Sequence, residues 1–175
     1  SKCMRALVAG VNLQLHPACW HMLCVVHALS PDGQDKTFDT SADGYGRSEA
    51  CGAVVVQSVS DADGKEADGE DHSKAVTSVR GTAVNQDGKS SSFSAPNGPS
   101  QQAVIRLALT DGGVSAEDVA YVEMHGTGTA LGDPIEVTAL QHVYASRDNG
   151  HRLGVGALKS NSGPTETAAG GMGII

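Results

Sequence analysis

The stretch Val122-Glu-Met-His-Gly-Thr-Gly-Thr-Ala-Leu-Gly-Asp-Pro-Ile-Glu136 carries more structural information than any other part of this chain. The apolar run Val119 to Met124 predicts a short strand that stops at His125. A loop of alternating Gly and Thr follows, then a helix start. Asp133 is placed as N-cap, Pro134 as first helical residue, and Glu136 as the capping-box acid three positions after the cap. The helix is predicted over Pro134 to Tyr144, with Ile135, Ala139, Leu140 and Val143 as its apolar stripe. One imidazole is thus set at a strand end beside hydroxyls and backbone N–H groups. Such a place suits chemistry on a carbonyl or thioester, because donors converge where negative charge develops. A histidine beside glycine is, taken singly, more often structural than catalytic.

The remaining elements alternate. Arg5 to Leu15 reads as a buried strand, Pro17 to His27 as helical, and Ser30-Pro-Asp-Gly33 as a turn. Ala53 to Val59 is a β-branched run that predicts a strand. The Asp/Glu/Gly-rich segment from Ser60 to Ser73 reads as an acidic surface loop. Its Asp61-x-Asp63 pair is calcium-like, but the glycine and closing glutamate of such a loop are out of place. Ala75 to Val84 predicts another strand, and Lys89 to Gly98 a loop. A helix starts near Pro99 with Ala103, Val104, Leu107 and Ala108 on one face, and Gly112-Gly113 ends it. Leu153 to Leu158 predicts a last strand, Lys159 to Thr165 a loop, and the residues from Thr165 a small-residue helix. Strands alternating with helices place the chain in the α/β class.

Further blocks occur in a fixed order: Ala9-Gly-Val-Asn-Leu13, Ala28-Leu-Ser-Pro-Asp-Gly33, Phe38-Asp-x-Ser-Ala-Asp-Gly-Tyr45, Gly81-x-Ala-Val-Asn-Gln-Asp-Gly88, Ala95-Pro-Asn-Gly98 and Lys159-Ser-Asn-x-Gly163. Together with His125-Gly-Thr-Gly-Thr-x-Leu-Gly-Asp-Pro-Ile-Glu136, they resemble the β-ketoacyl synthases, the condensing domains of polyketide and fatty acid synthases, in their type I polyketide form. The resemblance implies a thiolase-like layered α-β-α-β-α fold, seen here in part. Residues 1–175 are then expected to be a fragment of a single ketosynthase domain, roughly its middle to C-terminal part.

The resemblance also implies roles. His125 matches the first of the family's two catalytic histidines, which donates a hydrogen bond to the malonyl thioester oxygen as the enolate builds. Thr127 and Thr129 match positions that bind the phosphopantetheine arm of an acyl carrier protein. Lys159 matches a lysine that supports the polar network of the site; a surface lysine at a strand end is the plainer reading. Asp133, Glu136, Asn161 and Glu166 are expected as structural support. The family's second histidine, in Asn-x-Gly-His-Thr-Glu, is replaced by proline in Asn161-Ser-Gly163-Pro164-Thr-Glu166. Proline has neither a side-chain donor nor a backbone N–H. Ser48 and Ala50 stand where the family usually has glycine, and Gly171 is a further departure. The family's nucleophile is a cysteine at a strand-to-helix elbow, and Cys3, Cys19, Cys24 and Cys51 all lack that context. The expected activity is therefore decarboxylative condensation of an acyl thioester with malonyl on the carrier protein, performed by the parent and not by the fragment. The alternatives are a non-elongating acyl-binding or transfer module and an inactive truncated product. A homodimer is implied, partly through a strand matching Ala6 to Leu13.

His16, Cys19, His21, Cys24 and His27 approach zinc-ligand spacing. The interleaved Trp20, Met22 and Leu23 favour soft core side chains instead, so no metal is expected there; the resemblance implies no directly bound cofactor. The formal net charge of −8 argues against nucleic acid, which demands a basic footprint. No apolar run approaches membrane-spanning length and no signal peptide is visible. Four cysteines without framework spacing suggest reduced thiols and a cytoplasmic location.

Overall fold

The computed structural model describes residues 3–59, 75–90, 95–147, 150 and 152–175. The predicted acidic loop from Ser60 to Ser73, with its Asp61 and Asp63, lies outside the described residues. Strand β1 (Arg5–Asn12) leads into helix α1 (Ala18–Val25), and β2 (Ala50–Gln57) returns antiparallel to β1, with Arg5 opposite Gln57 and Asn12 opposite Ala50. Helix α2 (Gly98–Gly112), strand β3 (Tyr121–Glu123), helix α3 (Gly132–Tyr144) and strand β4 (Gly154–Gly156) follow. The chain then makes one turn of helix, α4 (Lys159–Ser162), and closes on α5 (Ala169–Ile174).

Strands β3 and β4 are parallel, with Val122 opposite Val155, and α3 forms the crossover between them. Parallel neighbours need such a crossover, and it sends both C-terminal strand ends to the same edge. The buried centre is Met124, Leu140, Val143 and Tyr144, ringed by Ile105, Leu109, Val122, Val137 and Leu153. Each such side chain contributes roughly 1.5–3 kcal/mol on full burial. Met124, only 3% exposed, immediately precedes His125, so the histidine departs from the firmest part of the molecule.

The two-stranded β1–β2 ribbon is joined to the C-terminal segment. A β-carbon on Gly10 would stand 2.9 Å from the Ala168 Cα, so only glycine admits that approach. The Thr167 hydroxyl also donates to the Val11 carbonyl.

Several expectations are corrected. Ala75 to Val84 forms no strand among the described residues; its Val76 is wholly exposed, and Thr82 N–H donates to Asp111 on α2 at 2.8 Å. β-Branched composition favours a strand only where a ladder partner is at hand, and this segment runs beside a helix instead. Helix α2 starts as expected, with the Asn97 side chain accepting from Ser100 N–H, and ends at Gly113 in the left-handed region. Its core-facing residues, however, are Ile105 and Leu109, while Ala103 and Leu107 are exposed. Two stripes one residue apart are equally apolar here, and the position of α3 selects between them.

Helix α1 forms, but it buries no residue: Met22 is 69% exposed and Trp20 39%. The expectation of soft core side chains there is overturned, because no described element packs over that face tightly enough to cover it. Cys19 and Cys24 are exposed thiols, and no metal-binding cluster occurs among the described residues. The predicted loop from Lys159 begins as the helical turn α4, closed by Ser162 N–H donating to the Leu158 carbonyl at 3.1 Å.

Candidate active site

The backbone ladder continues past β3 by one bond, Met124 N–H to the Gly156 carbonyl at 2.8 Å, and the two chains then diverge into loops. One loop carries exposed His125 with Thr127 and Thr129; the other begins at half-buried Lys159. The structure thus brings these predicted residues to one edge of one sheet.

Two carboxylates stitch the edge. Glu136 on α3 accepts from His125 N–H at 2.6 Å and Gly126 N–H at 3.0 Å. Glu123, the last residue of β3, accepts from Leu158 N–H at 2.6 Å and from the Tyr121 hydroxyl at 2.7 Å. The second contact holds the Tyr121 phenol above its ordinary pKa. Bonds of this kind, with an ionised acceptor, are about twice as strong as neutral ones.

The expected capping box is replaced by a different arrangement. The helix begins at Gly132, Leu131 occupies the cap position without a side-chain bond, and Asp133 already lies in the first turn. The Thr129 hydroxyl takes the capping part by accepting Gly132 N–H at 3.1 Å. Asp133, only 4% exposed, reaches across to accept Phe38 N–H at 2.9 Å. Glu136 is free to hold the histidine loop because Asp133 N–H is satisfied by the Thr129 carbonyl at 3.3 Å. Asp133 thus ties α3 to residue 38, and Glu136 ties it to the histidine loop, by routes that differ from a capping box.

Residues 35–38 press on the loop from the other side. Thr37 Oγ1 donates to the Gly126 carbonyl at 2.7 Å. Gly126 has φ +45°, and a β-carbon there would meet Ala157 Cβ at 2.6 Å and Thr37 Cγ2 at 2.8 Å. Only glycine meets both demands. Thr127 is half-buried in the same loop.

Asn161 and Glu166 lie further along the chain. Asn161 is exposed on α4, and its N–H donates to the Leu158 carbonyl at 2.9 Å. Glu166, with φ +45°, stands 4.0 Å from Arg47. Pro164 is buried, and its carbonyl accepts Ser48 N–H at 3.0 Å, so proline at this position and serine at 48 are accommodated together.

Sequence reasoning missed Glu123, Thr37 and Asp35. A glutamate inside an apolar strand, one residue before the histidine's neighbour, was the available signal for Glu123; Thr37 and Asp35 gave none. Burial pushes the Asp35 carboxyl up to about 6, against a Gly46 backbone hydrogen bond and the Lys159 charge, which lower it, and with Asp133 adding to the rise. Two open grooves of about 630 and 610 Å³ are lined by neither His125 nor Lys159.

The chain is similar to known proteins along nearly its whole length. Residues 76–175 match the family "Beta-ketoacyl synthase, C-terminal domain" and residues 1–62 match "Beta-ketoacyl synthase, N-terminal domain". The chain is 47% identical to one of the phenolphthiocerol/phthiocerol polyketide synthase polypeptides of Mycobacterium tuberculosis, covering 97% of this chain and 8% of that protein. It is 47% identical to a component of the pikromycin polyketide synthase of Streptomyces venezuelae, covering 97% of this chain and 4% of that protein. Among solved structures, the ketosynthase from module 6 of the bacillaene synthase of Bacillus subtilis superposes with a TM-score of 0.84 at 37% identity, over 98% of this chain and 30% of that one. The chain therefore spans less than a tenth of these curated relatives and under a third of that ketosynthase.

Proposed function

From the premise that the chain belongs to the β-ketoacyl synthase family, as part of a ketosynthase domain of thiolase-like fold, we propose that it carries the malonyl-activating side of a polyketide condensing site. The parent protein transfers an acyl chain to a cysteine thiol and condenses it with malonyl held on the phosphopantetheine arm of an acyl carrier protein. Loss of carbon dioxide leaves an enolate; its carbon attacks the acyl thioester, and the cysteine thiolate departs. His125 donates a hydrogen bond to the thioester oxygen as its charge grows. Thr127 and Thr129 bind the arm, and Lys159 supports the polar network of the site. Cys3, Cys19, Cys24 and Cys51 are exposed and lack the elbow context, so acyl capture by the 175 residues alone is not expected.

The observation that carries this reading is the meeting of the His125 and Lys159 loops at the ends of parallel strands, each backed by a carboxylate. The test is His125→Ala in the parent protein, with release of carbon dioxide from malonyl carrier protein as readout. A fall on the order of a hundred- to a thousandfold is expected; an unchanged rate overturns the assignment.

Pro164 favours a second reading, in which the parent passes acyl chains on without elongating them. Pro164→His in the parent separates the two. A gain of condensation with unchanged acyl loading supports the non-elongating reading, and an already full condensation rate with proline in place refutes it. We also assign the parent to the cytoplasm and to a homodimer formed along β1. No described helix is long and apolar enough to cross a membrane, and the described residues pair β1 with β2 alone while leaving Leu7, Val8 and Val11 exposed.

A further inference from the structure

Tyr121 is 56% exposed, so burial of its ring does not account for where it stands. Tyr121 and Glu123 project from one face of β3, opposite Gly154 and Gly156 of β4. Val122 between them turns the other way and packs on the core. The phenol ring lies across both glycines. A β-carbon on Gly154 would stand 3.1 Å from Tyr121 Cδ2, and one on Gly156 would collide with the Tyr121 hydroxyl. Bare backbone on this face of β4 thus lets the ring reach toward Glu123. The reach ends in a hydrogen bond, the hydroxyl donating to Glu123 Oε2 at 2.7 Å.

Glu123 is held on three sides. A β-carbon on Gly173 of α5 would stand 3.4 Å from Glu123 Cγ, so α5 lies against its stem. Its other oxygen, Oε1, accepts Leu158 N–H at 2.6 Å. The Leu158 carbonyl accepts in turn from Asn161 N–H at 2.9 Å and Ser162 N–H at 3.1 Å. Leu158 is therefore fixed at both of its backbone polar groups, and Lys159 is the next residue. We propose that Tyr121 is a positioning residue: its phenol fixes the plane of the Glu123 carboxylate, and through it the start of the turn that carries Lys159. Without that donor the carboxylate turns Oε2 toward water, and the short bond from Leu158 N–H weakens. The bearing of this clamp on condensation rests on the reading of Lys159 given above; the clamp itself does not.

The test compares Tyr121→Phe, which keeps the ring over the glycines, with Tyr121→Ala, which removes it. In the 175-residue chain, Tyr121→Phe should speed exchange of the Leu158 amide about 3- to 30-fold, the share of one charge-assisted hydrogen bond passed on through the carboxylate. The Leu158 amide proton resonance should move upfield with it, while the Met124 amide, bonded to the Gly156 carbonyl, stays within about twofold of wild type. An effect seen only in Tyr121→Ala assigns the ring to packing and overturns the proposal. In the parent, Tyr121→Phe should lower kcat for carbon dioxide release from malonyl carrier protein about 3- to 30-fold with KM unchanged, because Thr127 and Thr129 sit on the other loop. An unchanged kcat, or a rise in KM in its place, overturns the proposal. Should His125→Ala leave carbon dioxide release unchanged, the condensing reading falls by itself, and the Leu158 amide still decides the clamp.

Discussion

Replacing Glu136 by Gln tests the claim that one carboxylate fixes the backbone of the histidine loop. Its two oxygens accept from His125 N–H at 2.6 Å and Gly126 N–H at 3.0 Å. Hydrogen bonds to a charged group contribute about 1.5–3 kcal/mol each, and neutral ones about 0.5–1.5. Glutamine keeps the shape, but it offers one neutral acceptor and turns an NH2 group toward the other N–H. The pair falls from roughly 3–6 kcal/mol to one neutral bond and a donor–donor contact, a net loss of about 2–4 kcal/mol. Amide hydrogen exchange reads this locally. If the loop opens by itself, the His125 and Gly126 amides should exchange about 30- to 1000-fold faster in Glu136→Gln. Met124 N–H, held by the Gly156 carbonyl inside the ladder, should change far less. Exchange at 125 and 126 within threefold of wild type would refute the reasoning and leave Glu136 a surface acid near the loop. An equal acceleration at all three amides would also refute it, by showing that the substitution acts on the whole fold.

Gly126→Ala should destabilise the chain by about 2–4 kcal/mol in urea unfolding, since it adds left-handed strain to an overpacked β-carbon; a loss under 0.5 kcal/mol contradicts the close approach to Ala157 and Thr37. Thr129→Ala should cost about 0.5–2 kcal/mol, the usual loss for a side chain that satisfies a helix-start N–H, with helix α3 fraying first in exchange measurements. Asp35 has its folded pKa raised from 3.8 to about 6, so its stabilising contribution is complete below pH 3.8 and is lost as pH rises through 6. Asp35→Asn has no such loss. Its stability relative to wild type should improve between pH 4.5 and 7 by about 1–2 kcal/mol, after allowance for solvent screening. Parallel stability curves for the two proteins would contradict the burial of that carboxyl.

The strand-histidine-loop-helix order around His125 was legible because its signals are local: an apolar run, a Gly/Thr alternation, an Asp-Pro pair. The α3 stripe was legible too, with Ala139, Leu140 and Val143 buried as the period predicts, although Tyr144 joins them. What stayed hidden depends on partners distant in sequence. Asp133 and Glu136 look like a capping pair on paper, and only the proximity of Phe38 and His125 redirects them. Ala75 to Val84 has strand composition but no ladder neighbour among the described residues. Asp35 looks like one more surface acid in a turn-rich segment, and nothing local marks it as buried. The ordered motif blocks gave the family, because each is a chemical demand placed on a known element.

The contact of Gly10 with Ala168 joins the first strand to the last helices, and Ser48 and Phe38 add further ties to Pro164 and Asp133. The two regions matched by separate family descriptions, residues 1–62 and 76–175, are therefore halves of one interlocked body. Severing the backbone between them should yield a non-covalent pair that copurifies, and neither half should persist as a folded monomer when produced alone.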